Sequence, residues 1–190
     1  MITVVSGLPR SGTSLMMQML VAGGMPVLSD GERRPDLDNP RGYLEWEKIK
    51  QLPNQPGCIA EAEGKVVKVI SQLLLSLPQG YEYSVIFLRR PLGEVLASQE
   101  QMLRHRGAVH RTGDGSYLSM AFQKHLREVE QWLKRTPGVK NIDVHYHDLL
   151  QQPRMVTQQL VEFLGTPLEA NAMAGQVDRD LYRQRSTVVA

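Results

Sequence analysis

Two hydrophobic periods alternate along this chain. Residues 2–5 form a short β-branched run, residues 65–70 (KVVKVI) and 83–88 (YSVIFL) are rich in apolar side chains, and residues 141–146 (NIDVHY) make a fourth such segment. Runs of this length predict strands, and the nearly unbroken 83–88 is the kind buried in a parallel sheet. Between them the spacing becomes helical. Residues 13–22 read as a buried helix ended by Gly23 and Gly24, and a second helix is expected from Pro91, which suits a first turn, to about His105. Leu118, Phe122, Leu126, Val129 and Leu133 recur every three or four positions, which predicts a core-facing amphipathic helix over 117–135. A short helix over 43–52 and another over 153–164, closed by Gly165 and Pro167, complete the set. Turn formers fill 6–12, residues 25–42 read as a long ordered loop or lid, 107–116 as a flexible loop, and 177–190 as a mostly polar tail.

Strands separated by helices predict an α/β fold whose central, mostly parallel sheet is flanked by helices, with ligands at the carboxyl ends of the strands. There is no repeat or internal boundary, so 1–190 is expected to be one domain.

Composition narrows the chemistry. The 190 residues carry 22 basic and 20 acidic side chains, and a net charge of +2 gives no reason to expect nucleic acid or an anionic membrane as partner. Fifteen of the basic residues are Arg and only seven are Lys. A guanidinium is a planar fork of donors suited to phosphate, sulfate or carboxylate, so the bias points to oxyanions. The lone Cys58 excludes an internal disulfide and a cysteine-rich zinc site. No run reaches the roughly 18 apolar residues of a membrane span and no signal pattern opens the chain, so a soluble, untargeted, cytoplasmic protein is expected.

The segment Gly7-Leu8-Pro9-Arg10-Ser11-Gly12-Thr13-Ser14 has the spacing of a phosphate-binding loop between a strand and a helix. Thr13 stands where a nucleotide hydrolase needs its Lys, and the nearby cation is Arg10. Pro9 to Ser14 resembles the 5′-phosphosulfate loop of sulfotransferases, which reads Pro, then Lys or Arg, then Ser-Gly-Thr, then Thr or Ser. The resemblance implies a three-layer P-loop-like fold and 3′-phosphoadenosine 5′-phosphosulfate (PAPS) as donor. It also implies that Arg10, Ser11, Gly12, Thr13 and Ser14 wrap the 5′-phosphate and its sulfuryl group. In that family a strand-end Arg and a Ser eight positions later anchor the 3′-phosphate, as Arg90 and Ser98 would here. Relatives often place Pro two residues after the Arg, which selects Arg89 instead, and both stay open. Tyr146-His147-Asp148-Leu149-Leu150, Pro153, Leu160 and Phe163-Leu164-Gly165 resemble a packing stretch of the same family. Such families often close an Arg-bearing C-terminal segment over the nucleotide, which makes Arg183 and Arg185 secondary candidates beside a plain solvated tail that also holds Arg179.

The acceptor, a hydroxyl or amine of unknown identity, needs a base. The Lys-x-His element of cytosolic sulfotransferases corresponds to Lys68-Val69-Ile70, where the His is absent. Asn39-Pro40-Arg41-Gly42-Tyr43-Leu44-Glu45 resembles an element of bacterial members that ends in a carboxylate. Glu45 is therefore the candidate base, with Glu47 or a His (His105, His110) as substitutes, and Lys68 a candidate to steady the leaving oxygen. Met25, Tyr43 and Trp46 are candidates for the acceptor pocket or for the core. No metal is expected, because His145 and His147 lack a third ligand. Two other readings stay open: a nucleotide or small-molecule kinase with an altered loop, and a catalytically silent nucleotide-binding protein.

Overall fold

The computed structural model describes residues 1–36, 38–105, 107 and 115–178. Four strands form one sheet in the order β2-β1-β3-β4, every neighbouring pair parallel: β1 Ile2–Gly7, β2 Val66–Lys68, β3 Tyr83–Arg89 and β4 Val139–His145. The helices are α1 Thr13–Ala22, α2 Ser71–Leu74, α3 Leu92–His105, α4 Gly115–Arg135, α5 Tyr146–Gln151, α6 Pro153–Leu164 and α7 Ala170–Ala174. Two 3₁₀ turns, Glu47–Gln51 and Pro56–Ala62, precede β2.

Period-two alternation sends successive side chains of each strand to opposite faces, and each face has its own core. Ile2, Val4, Val85 and Phe87 join Trp46, Leu52, Ile59 and the α4 residues Val129 and Leu133. Val5, Ile86 and Leu88 join Met16, Met17 and Leu20 of α1, Leu160 of α6 and Met173 of α7. The sheet is thus the middle of three layers. All six residues of β1 are buried, as a central strand requires, whereas β4 is largely open along one edge. The opposite edge is covered: Val66 N–H donates to Pro26 O at 2.8 Å and Leu28 N–H to Val66 O at 2.9 Å, so the 25–42 segment begins by pairing with β2 and blunting its edge.

After β1 the chain crosses to β2 on one side and then returns to β3 on the other. That reversal opens a crevice beyond the carboxyl ends of β1 and β3, where the loop after β1 and residues 89–90 both emerge.

Some boundaries differ from expectation. Residues 43–46 are not helical: Gly42 and Leu44 have φ of 85° and 50°, and Glu45 O accepts the Asp30 N–H at 3.2 Å, so helical structure begins only at Glu47. β2 ends at Lys68 rather than residue 70, and β4 starts at Val139 and ends at His145, with Tyr146 opening α5. The 25–42 segment is an ordered loop tied by Asp36, whose Oδ1 accepts the N–H groups of Asp38 and Asn39, both at 2.9 Å. No helix among the described residues is long and apolar enough to cross a membrane.

Candidate active site

The loop after β1 is shaped by close approaches that only glycine permits. A Cβ on Gly7 would lie 2.4 Å from Ser11 Oγ and 2.9 Å from Leu88 O; one on Gly12, at φ 104°, would lie 2.5 Å from the Tyr146 ring. Arg10 adopts φ 73°, a conformation uncommon for a residue with a side chain. Gly12 at the N-cap of α1 supplies no side-chain cap to the orphan N–H groups of the first turn. Gly12, Thr13 and Ser14 line a cavity of about 560 Å³ in the crevice. Ser11 Oγ is buried with no hydrogen-bond partner among the described residues. A buried hydroxyl without a partner is costly, and an oxyanion in this loop would supply one.

Two guanidinium groups meet at the loop. Arg10 Nε donates to Ser98 Oγ at 3.0 Å and its Nη2 to Asp38 O at 3.4 Å. Arg90 Nη1 donates to Arg10 O at 3.0 Å, its Nε pairs with Glu94 Oε2 at 2.9 Å, and its guanidinium lies 4.7 Å from the Tyr146 ring centroid. Arg10, Arg90 and Ser98 all line the cavity. Arg89 points elsewhere. As the last residue of β3 it shares the face of Phe87, covers that ring, and pairs with Glu130 of α4 and Asp143 of β4, both at 3.1 Å. Strand alternation therefore separates two consecutive arginines that the residue spacing alone left interchangeable.

A third cation enters from β2. Lys68 is 6% exposed, and its Nζ donates to Ser14 Oγ at 3.0 Å, Tyr43 O at 3.2 Å and Glu45 Oε1 at 2.9 Å. Glu45 also accepts two hydrogen bonds from Arg33 Nη1, 2.9 Å to each carboxylate oxygen, and the Arg33 guanidinium stacks 3.4 Å from the Tyr43 ring centroid. The Tyr43 hydroxyl completes the chain by donating to the Asp36 carboxylate at 2.7 Å. Burial alone would raise the Glu45 carboxyl, but Lys68 and Arg33 outweigh it and hold the group below its ordinary range. Burial pushes the Lys68 ammonium down, the Glu45 charge pulls it back up, and Arg33 and Arg10 add to the downward side, with a net lowering. At neutral pH Glu45 is a carboxylate.

The remaining candidates lie further out. Glu47 lines the cavity and pairs with Lys50. His105 Nδ1 sits 2.9 Å from Asp38 Oδ1. Tyr43 and Trp46 are buried beside the cavity, whereas Met25 belongs to the core around α1. His110, Arg179, Arg183 and Arg185 lie outside the described residues. Among the described residues no group of three or more His, Cys, Asp or Glu side chains is placed to hold a metal ion. Arg33, Asp38 and the Tyr146 ring were not singled out by sequence. Arg33 sits in a loop whose composition marks a lid without ranking its charges, and Tyr146 reads there only as packing.

Comparison with known proteins bears on this arrangement. Residues 82–170 match the model of the Sulfotransferase family. That stretch includes Arg90, Ser98 and Tyr146 but not the loop from Gly7 to Ser14. The fold is similar to that of sulfotransferase STF1 from Mycobacterium tuberculosis, with a TM-score of 0.59 and 17% identity over 95% of this chain and 73% of that one. It is also similar to the sulfotransferase domain from the curacin biosynthetic pathway, with a TM-score of 0.53 and 16% identity over 90% of this chain and 76% of that one. No curated protein matches the chain significantly. Identities this low establish the architecture alone, a three-layer P-loop-like α/β fold.

Proposed function

We propose that this chain, whose residues 82–170 match the Sulfotransferase family model and whose fold is similar to that of two sulfotransferases, transfers the sulfuryl group of PAPS to a hydroxyl or amine acceptor. The observation that carries the reading is the convergence of three cations, Arg10, Lys68 and Arg90, with three hydroxyls, Thr13, Ser14 and Ser98, on one cavity at the switch point of the sheet. A nucleotide with separate 5′ and 3′ anionic groups needs two cationic sites within one crevice. A cavity of about 560 Å³ falls within the range that holds ligands of this size. The unpartnered Ser11 Oγ and the uncapped start of α1 fit an oxyanion there.

The donor supplies a sulfuryl group already activated by its bond to phosphate. Arg10 and the loop from Ser11 to Ser14 hold the 5′ end, and Arg90 with Ser98 holds the 3′-phosphate. Lys68 donates toward the oxygen that gains charge as the sulfur–oxygen bond to the 5′-phosphate breaks. Glu45 accepts the acceptor's proton as the new bond to sulfur forms. Its Oε2 accepts only from Arg33 among the described residues, which leaves lone-pair capacity for an acceptor hydroxyl.

Calorimetry with adenosine 3′,5′-bisphosphate tests the site. Each of Arg10→Ala and Arg90→Ala should weaken binding by roughly 10- to 100-fold, the loss of a charge-assisted hydrogen bond to phosphate. Unchanged affinity in both variants refutes the assignment. Binding without transfer from labelled PAPS to an acceptor panel points to a silent nucleotide-binding protein, and magnesium-dependent ATP turnover points to a kinase.

A further inference from the structure

The catalytic assignment leaves Arg33 without a role, yet among the described residues no other side chain touches both oxygens of Glu45. Resting on the reading above, we infer that Arg33 is a positioning residue for the Glu45–Lys68 pair: it fixes the carboxylate so that Oε1 holds Lys68 at Ser14 while Oε2 faces the cavity.

The geometry supports this from three sides. First, Arg33 Nη1 lies 2.9 Å from each Glu45 oxygen, so one cation engages both oxygens and the carboxylate cannot swing away from it without losing both contacts. Second, the guanidinium is itself braced. It lies flat against Tyr43, whose hydroxyl is tied to Asp36, and Asp36 also organises the backbone at Asp38 and Asn39. Third, Glu45 is connected inward: Oε1 takes Lys68 Nζ, and the same ammonium reaches Ser14 Oγ in the first turn of α1. A chain of contacts therefore runs from the 25–42 loop to the anion-binding loop, and Arg33 is its link between the two. Arg33 contacts neither Arg90 nor Ser98 in any described bond, so its effect is confined to the sulfuryl end.

Charge is what separates positioning from packing. Lys68 faces Glu45, Arg33 and Arg10, with Tyr43 O and Ser14 Oγ as neutral partners, and Glu45 faces Lys68 and Arg33. A cation at position 33 pulls the Glu45 carboxyl down and pushes the Lys68 ammonium down as well. An uncharged side chain of similar length on Tyr43 preserves the packing and removes both influences.

The test follows the carboxyl carbon of Glu45 and the ammonium of Lys68 by NMR titration in the full chain, as wild type, Arg33→Met and Arg33→Lys. Met should shift both titrations upward. Lys, which restores the charge with a single cationic nitrogen, should return both most of the way to wild type. The inference is overturned if Met leaves both groups where they were, or if Lys and Met shift them equally. Calorimetry of the wild type with adenosine 3′,5′-bisphosphate runs alongside. If wild type does not bind the bisphosphate, the nucleotide reading falls while the titrations still decide whether Arg33 governs the pair.

Discussion

Replacing Glu45 with Gln removes one charge and almost no volume, which makes it a sensitive probe of the buried network. Lys68, 6% exposed, would then face Arg33 and Arg10 with no counter-ion. Breaking a buried ion pair by deleting one partner typically costs about 3–5 kcal/mol. An independent ceiling comes from the escape route open to a stranded ammonium, which is to lose its proton. Starting from the ordinary lysine value near 10.5, deprotonation at pH 7 costs about 1.4 kcal/mol per unit, or about 5 kcal/mol in all. The Gln oxygen still accepts a hydrogen bond from Lys68, and Arg33 reaches solvent once released, so the expected loss is about 2–4 kcal/mol. Urea denaturation at pH 7 measures it. In Glu45→Gln the Lys68 ammonium falls further below its unfolded value. The unfolded state then binds more protons over a wider window below 10.5, and the variant's stability should rise with pH there more steeply than wild type. A third protein closes the argument. Glu45→Gln combined with Lys68→Met removes the stranded charge and should recover more than half of the loss. A loss below about 0.5 kcal/mol in Glu45→Gln, or strict additivity in the double variant, refutes the account of Lys68 as a buried ammonium held by this carboxylate.

Other predictions address the parts separately. Arg89→Ala should leave affinity for adenosine 3′,5′-bisphosphate within about threefold of wild type. It should lower stability by less than about 1 kcal/mol in a denaturant titration, because Glu130 and Asp143 are exposed partners. Gly12→Ala should destabilise by about 2 kcal/mol or more and abolish bisphosphate binding, because the new methyl meets the Tyr146 ring at 2.5 Å in a left-handed backbone. Measured in a Tyr146→Ala background by thermal denaturation, the loss caused by Gly12→Ala should be smaller than in wild type, and an equal loss would assign it to backbone strain alone. The Glu45 carboxyl titrates below its ordinary value, so its stabilising contribution is complete above pH 4.5 and lost as pH falls through its folded value. Wild type and Glu45→Gln should therefore converge in stability only on the acid side of 4.5, as urea midpoints across pH 3–7 would record.

What could be read from sequence divides along a physical line. Strand and helix periods are local, so the four strands and the main helices appear in residue spacing, and the anion-binding loop appears because its glycines and its Arg lie within eight consecutive positions. The site's partners are not local. Arg10 meets Ser98 across 88 residues, and Lys68 meets Ser14 across 54 and Glu45 across 23. Only β-sheet order brings these together, with β1 between β2 and β3, and no residue spacing announces that order. The same limit explains the missed helix start. Residues 43–46 have helical composition, but Gly42 and Leu44 turn the backbone, and Lys68 Nζ draws on Tyr43 O and Glu45 Oε1. An α-helix over these residues would turn the Tyr43 carbonyl into its own hydrogen-bond ladder and away from Lys68. The segment's non-helical shape lets it serve a cation on another strand. It also makes Arg33 matter, since a non-helical 43–46 presents the Tyr43 ring and the Glu45 carboxylate to one guanidinium, which i, i+2 residues of a helix would not do.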